Sequence, residues 1–172
     1  GLSGKTIKSY LDILTGTFMV RHLQPWYENI SKRQVKAPKI YFQDSGILHS
    51  LLDIPDRHYL MGHPRLGASW EGFALEQILQ VTGPIEPYFW STYSGAKIDL
   101  FFSKKGKRYG VEIKFNEAPK ITKSMHVTLT DLGLSHLYVI YPGTVSYPVA
   151  ENISVISLAD AGGWSDFPQE AS

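Results

Sequence analysis

Four side chains in this chain have the types and spacing to do chemistry together: Glu71, Asp99, Glu112 and Lys114. The last three fall within 95–114, Gly-Ala-Lys-Ile-Asp-Leu-Phe-Phe-Ser-Lys-Lys-Gly-Lys-Arg-Tyr-Gly-Val-Glu-Ile-Lys. With Lys105-Gly106 as a two-residue loop, Asp99 falls opposite Glu112, and Lys114, two residues on, projects from the same side. Two facing carboxylates ~5 Å apart repel by about 3 kcal/mol at an effective dielectric of about 20. A divalent cation between them turns that cost into a binding site, and magnesium is held by one or two carboxylates together with substrate phosphate oxygens. The same pattern also fits a solvated strand face on which Lys114 neutralises its neighbours.

The element that must position these residues is a hairpin. Ile98, Leu100 and Phe102 alternate with Asp99 and Phe101, and Val111 and Ile113 alternate with Glu112 and Lys114, a period of two on each side of a Gly-containing turn. A slip of one residue would send the two acids to opposite faces. Upstream, 68–81 reads as a helix stopped by Gly83-Pro84. On it Glu71 has Ala74, Leu75 and Ile78 at i+3, i+4 and i+7, so this acid lies in the apolar stripe and needs a partner. Glu76, five positions on, is roughly 140° round the helix, and reads as a surface or salt-bridging residue. An arginine partner for Glu71 would give it a purely structural role. The expected arrangement has Asp99, Glu112 and Lys114 sharing one face, opposite Glu71.

The other elements follow from periodicity and punctuation. Ser3 caps a helix over 5–14 that ends at Gly16, a short strand covers 18–23, and 24–38 reads as a loop. A strand at 39–43 leads through Asp44-Ser45-Gly46, with Asp44 a capping residue rather than a catalytic acid, into a helix at 47–52. A loop spans 55–64, and an aromatic strand spans 86–93. Thr122 caps a helix over 123–132 ended by Gly133; 137–141 is a continuous apolar run typical of a strand buried on both faces. With the Glu112 strand these make a βαβ unit, expected to cross over right-handed. A last strand covers 153–158, and the polar tail is expected to fray.

The 172 residues suit one domain with a real core. Absence of cysteine excludes disulfides, thiolate catalysis and cysteine-ligated metal, and no apolar run reaches the roughly 18 residues of a membrane span. His49, His58, His63, His126 and His136 show no metal-ligand spacing. Net charge is only +1, but residues 1–39 carry seven Lys/Arg against Asp12 and Glu28, a local +5, and the remainder is −4. That asymmetry fits an anion-facing or partner-facing N-terminal portion, or ordinary surface scatter. Lys104, Lys105, Lys107 and Arg108 at the hairpin turn could meet phosphates or simply be solvated.

Helix acid, then Asp, then Glu-X-Lys, in the order helix–strand–strand–helix–strand, resembles the core of the PD-(D/E)XK nuclease superfamily. By motif match Glu71 takes the first acidic position, Asp99 the second, and Glu112 and Lys114 the third; Ile98 stands where many members have proline. Lys5-Thr-Ile-Lys-Ser-Tyr-Leu, Lys39-Ile-Tyr-Phe-Gln-Asp-Ser-Gly-Ile-Leu, Gly67-Ala-Ser-Trp-Glu-Gly-Phe-Ala-Leu-Glu and Asp131-Leu-Gly-Leu resemble the uncharacterised C-terminal domain of prokaryotic AAA+ ATPases. There an ATPase module and a winged helix precede a nuclease-like domain.

The resemblance implies an α/β fold of the restriction-endonuclease-like kind, a mixed central sheet flanked by helices, with an N-terminal fragment like the end of a winged helix. Residues 1–38 would be that fragment and a linker, 39–160 the nuclease-like domain, and 161–172 a disordered tail. It implies magnesium- or manganese-dependent hydrolysis of DNA. Asp99, Glu112, the Ile113 carbonyl and Glu71 would hold metal, and Glu71, Asp99, Glu112 and Lys114 would form the catalytic set. The competing expectation is an inactive nuclease-fold module that binds nucleic acid, or docks protein and regulates the ATPase. Expected partners are DNA, an N-terminal AAA+ ATPase module absent from this stretch and further copies in a homo-oligomer. No membrane is expected, and the expected location is cytoplasmic. No Gly-X-X-X-X-Gly-Lys-Ser/Thr loop occurs, so this stretch has no ATP site.

Overall fold

The computed structural model describes residues 3–83, 85–116, 119–163 and 167. Among these the order is α1 (Gly4–Gly16), β1 (Val20–Pro25), β2 (Lys39–Phe42), α2 (Ser45–Leu51), α3 (Arg57–Met61), α4 (Leu66–Thr82), β3 (Tyr88–Ser91), β4 (Lys97–Lys104), β5 (Lys107–Ile113), α5 (Lys123–Leu132), β6 (His136–Tyr141), β7 (Tyr147–Ala150) and β8 (Ile153–Ser157). The strands form one mixed eight-stranded sheet in the order β2-β1-β3-β4-β5-β6-β8-β7. Pairs β1–β3, β5–β6 and β6–β8 are parallel and the others antiparallel.

Local chemistry sets the boundaries. Ser3, Asp44 and Thr122 accept hydrogen bonds from the first-turn N–H groups of Thr6, Gly46 and Met125, satisfying donors that a helix start leaves open. Gly133 ends α5 in the left-handed conformation at φ 57°. Lys105 and Gly106 have φ 50° and 76°, the geometry of a type I′ turn, whose twist matches the strands it joins. β4 and β5 therefore pair in the expected register, from Lys104↔Lys107 back to Leu100↔Val111.

The core lies in two layers, one on each side of the sheet. On one side Ala74, Leu75 and Ile78 of α4 pack on Leu100, Phe102, Val111, Ile113 and Ile140. On the other, Met125, Leu129 and Leu132 of α5 pack on Trp90, Ile98, Phe101, Leu137 and Val139. Residues 137–141 are buried throughout, as a strand covered on both faces must be, and β5, α5 and β6 form the expected parallel unit.

Several elements differ from the sequence expectation. Phe18 sits at φ 59°, outside any strand conformation, so the first strand begins at Val20 and runs through Pro25 along β3. Within the expected loop at 24–38, Gln34 also bridges to Thr92. The expected loop at 55–64 contains α3, capped by Asp56 on Tyr59 N–H. β7 was not expected: it is an exposed edge strand carrying Pro148, a residue confined to such positions. The helix α1 buries none of its residues. In the tail expected to fray, Ala161 and Phe167 are buried against the α4 layer, whereas 164–166 and 168–172 lie outside the described residues.

Candidate functional site

The site forms where β4 and β5 part. Strand pairing between β3 and β4 shifts register, Tyr88 facing Phe101 but Trp90 facing Ile98, so β4 carries one extra residue at Asp99-Leu100. This bulge corrects the strict alternation read from the sequence: Ile98 and Phe101, three apart, pack in the same layer. A bulge re-aims a side chain. Here Asp99 is taken out of the ladder, and its Oδ2 accepts the Ile113 N–H at 3.1 Å. By alternation with Val111 and Ile113, which pack towards α4, Glu112 and Lys114 leave β5 on the α5 side. Lys114 is fixed through its backbone, its N–H donating to Ile140 O at 2.9 Å and its carbonyl accepting from Trp70 Nε1 at 3.0 Å.

Glu71 comes from α4. Next to it Gly72 lacks a side chain where a Cβ would lie 3.4 Å from Tyr41 Cδ1, so the Tyr41 ring can rest on the helix. That places Tyr41 OH to donate to Glu71 Oε1 at 2.5 Å. Lys39 Nζ lies 2.9 Å from the same Glu71 oxygen and 3.0 Å from Asp99 Oδ1. Lys97 Nζ stands 3.5 Å from Asp99 Oδ1 and 3.7 Å from Glu112 Oε1, and Lys114 Nζ is 2.5 Å from that Glu112 oxygen. Three carboxylates and three ammonium groups thus form a chain: Glu71, Lys39, Asp99, Lys97, Glu112, Lys114. Glu112 is 97 % removed from solvent (3 % exposed), yet its Oε2 is buried without a hydrogen-bond partner.

Electrostatics splits the two buried acids. Burial alone would raise Asp99, but the ammonium groups of Lys39 and Lys97 and the Ile113 N–H outweigh it and hold the carboxyl below its usual value. Glu112 goes the other way, pushed up to about 7 by burial first and by the neighbouring Asp99 charge second, against the pull of Lys97 and Lys114. Burial lowers Lys39 and Lys97, but the facing carboxylates overcome it and both are raised. Tyr41 is also raised, by burial and then by Glu71, so its hydroxyl remains a donor.

The four sequence-predicted side chains therefore lie in one cluster, joined through lysines that the sequence did not announce: Lys39 links Glu71 to Asp99, and Lys97 links Asp99 to Glu112. Glu71 has a lysine and a tyrosine rather than an arginine. Lys39, Tyr41 and Lys97 were missed because alternation marks Lys39 and Tyr41 as one face of a short strand without saying what they face. Glu76, expected at the surface or in a salt bridge, is buried and bidentate with Arg21 at 2.5 and 2.7 Å. The basic turn does not belong to the site: Lys105 is six residue steps along the strand from Asp99, about 20 Å at the usual rise. Arg108 is committed to Glu28 at 2.7 Å and to Leu132 O at 2.8 Å, and Lys104 to Thr82 O. His49 and His136 are hydrogen-bonded to Ser69 and Ser154.

Among the described residues no three acidic or imidazole side chains close into a ready-made cation site, since ammonium groups stand between the carboxylates. The donor chemistry still fits a hard divalent ion: carboxylate oxygens at the end of a strand pair, one of them buried with a free lone pair. The unpartnered Glu112 Oε2 is the observation that points to a ligand.

Residues 66–161 match the family described as Domain of unknown function (DUF4143), and residues 1–58 match Domain of unknown function (DUF8612). Among curated proteins the chain is similar to the uncharacterized protein Rv2008c of Mycobacterium tuberculosis (strain ATCC 25618 / H37Rv) and to the uncharacterized protein Mb2031c of Mycobacterium bovis (strain ATCC BAA-935 / AF2122/97). Each is 45 % identical over 151 residues, which is 88 % of this chain and 34 % of the relative. The chain thus spans about a third of the length of these relatives (34 %). No solved structure matches it.

Proposed function

We propose that this chain, which belongs to the DUF4143 family, carries a metal-dependent phosphodiesterase site of the PD-(D/E)XK kind that hydrolyses DNA. The observation that carries the reading is that Lys39 and Lys97 link Glu71, Asp99 and Glu112 into one cluster with Lys114, in which the buried Oε2 of Glu112 has no partner. Asp99, Glu112, the Ile113 carbonyl and, directly or through water, Glu71 would hold magnesium or manganese. The ion's chemistry is to make water a nucleophile near neutral pH and to stabilise the attacking and leaving oxygens. Asp99 stays ionised because two ammonium groups and a backbone N–H hold it so, and it offers a full charge at the centre. Lys114, fixed by its backbone and set on Glu112, would place an ammonium where it could orient the attacking water and offset charge gathering on the phosphoryl oxygens. The balance is a hydrolysis: one water consumed, one P–O ester bond broken, an alcohol and a phosphate monoester released.

We read the chain as the C-terminal part of a longer protein that also holds an AAA+ ATPase module. The one-third span of the relatives supports the greater length, and the resemblance of the motifs supports the position and the ATPase. The sequence of α1 followed by β1 is in keeping with the end of a winged helix.

One observation favours a second reading. Lys39, Lys97 and Lys114 already stand against the three carboxylates, which is how a nuclease fold that no longer cuts would settle its old site. Such a module would bind nucleic acid, or dock protein and regulate the ATPase. Calorimetric titration with Mg²⁺ and Mn²⁺ separates the two. The enzyme reading expects binding that Asp99→Ala abolishes; no binding, or equal binding by both proteins, sinks it. Cleavage is then assayed on linear, branched and single-stranded DNA. Activity that survives Lys114→Ala would belong to a contaminant.

A further inference from the structure

Lys39 lies between the two acids that the proposed metal site takes from different elements, Glu71 of α4 and Asp99 of β4, with contacts of 2.9 and 3.0 Å. Lys97 is less closely held, at 3.5 and 3.7 Å from its carboxylates. Resting on the metal-site reading above, we infer that the Lys39 ammonium holds a cation position between Glu71 and Asp99, and that on metal uptake it transfers to a non-bridging oxygen of the bound phosphodiester. An ammonium and a divalent ion on one carboxylate oxygen repel strongly, so they exclude one another there.

The surroundings allow this exchange. Lys39 is the first residue of β2, an edge strand paired only with β1, and its side chain is 31 % exposed. The ammonium can leave Asp99 without breaking the sheet. Its Nζ also lies 5.4 Å from the Phe89 ring centroid and 5.9 Å from that of Tyr41, faces that attract a cation and keep it beside the site once displaced. The Tyr41 hydroxyl donates to the same Glu71 oxygen, so that acid does not lose its last partner when the lysine moves. A phosphodiester brought to the metal would offer the displaced ammonium a new anion, and a lysine pairs with phosphate as a point charge. Lys39 then serves the metal-free chain as a substitute cation and the loaded chain as a substrate-binding residue.

The test compares wild type with Lys39→Met, Lys39→Arg, Lys97→Met and Asp99→Asn. Mn²⁺ binding is followed by calorimetry and by the metal-induced rise in Tm. Removal of the competing charge should tighten Mn²⁺ binding by tenfold or more in Lys39→Met and enlarge the Tm rise. Lys39→Arg should stay near wild type, and Lys97→Met should change less than Lys39→Met. With a duplex oligonucleotide in Ca²⁺, Lys39→Met should bind several-fold more weakly than wild type. With EDTA in place of Ca²⁺ the two should bind alike. Equal Mn²⁺ affinity in wild type and Lys39→Met, both lost in Asp99→Asn, overturns the role of Lys39 and leaves the metal site standing. Binding by neither overturns both. Tighter Mn²⁺ binding with unchanged DNA affinity in Ca²⁺ overturns the transfer to phosphate.

Discussion

Glu112 links the site to stability through its proton. Its folded value near 7 exceeds the ordinary 4.5, so between those two values the folded chain holds a proton that the unfolded chain has lost. Stability from this group is fully present below pH 4.5 and is lost as pH rises through 7, by about 3 kcal/mol at most. Asp99, held low, runs the other way, its contribution lost as pH falls. The expected outcome in the metal-free protein is that Glu112→Gln raises Tm at pH 8 and changes little at pH 4; an equal effect at both would contradict the assigned proton. Tyr41→Phe removes the hydroxyl that donates to Glu71. A hydrogen bond to a charged group is worth about 1.5–3 kcal/mol, and a loss of unfolding free energy of that order, read from urea denaturation, is expected.

The elements are joined by pairs that no single element reveals. Arg21 of β1 grips Glu76 of α4 through two parallel hydrogen bonds, fixing the helix that presents Glu71 five residues earlier. Arg21→Met leaves Glu76 buried and unpaired. A loss of about 2 kcal/mol is expected, below the figure for a fully buried pair because the arginine is partly exposed. Gly110 is the second close approach. A Cβ there would lie 2.6 Å from Leu134 Cδ1 and 3.2 Å from Ile98 Cγ1, inside the α5 layer. Gly110→Ala should therefore cost about 1–3 kcal/mol by overpacking, measurable by urea unfolding. Leucine at 134 replaced by alanine in the same chain should recover part of that loss.

Across the whole molecule, part of the charge asymmetry of the sequence is consumed within the fold. Of the seven basic residues in 1–39, Arg21 pairs with Glu76, Lys32 with Asp131, and Lys39 with Glu71 and Asp99. The N-terminal portion is thus bound to the acidic remainder rather than offered whole to an anion. If DNA is the ligand, few phosphates are neutralised, and the slope of log K against log salt should be shallow, about −2 to −4. A slope near −8 would contradict so small a number of phosphate contacts. Among those residues, no helix is long and apolar enough to cross a membrane.

The sequence by itself determined what depends on near neighbours. Turn chemistry at Lys105-Gly106 fixed the hairpin register, side-chain caps fixed the starts of α1, α2 and α5, and apolar periodicity put α4 and α5 on the sheet. These signals act over a few residues, and so they can be read along the chain. Only the tertiary structure decided the partners of the charges. Lys39 and Tyr41 meet an acid about thirty positions away, and Asp99 meets Lys39 across sixty. A bulge of one residue, unmarked by any glycine or proline, turns Asp99 out of the ladder. Charge pairing is undirected along the sequence and strong only where water is excluded. The clustering of Glu71, Asp99, Glu112 and Lys114 was therefore legible beforehand, and the Lys39 and Lys97 ammonium groups standing between the acids were not.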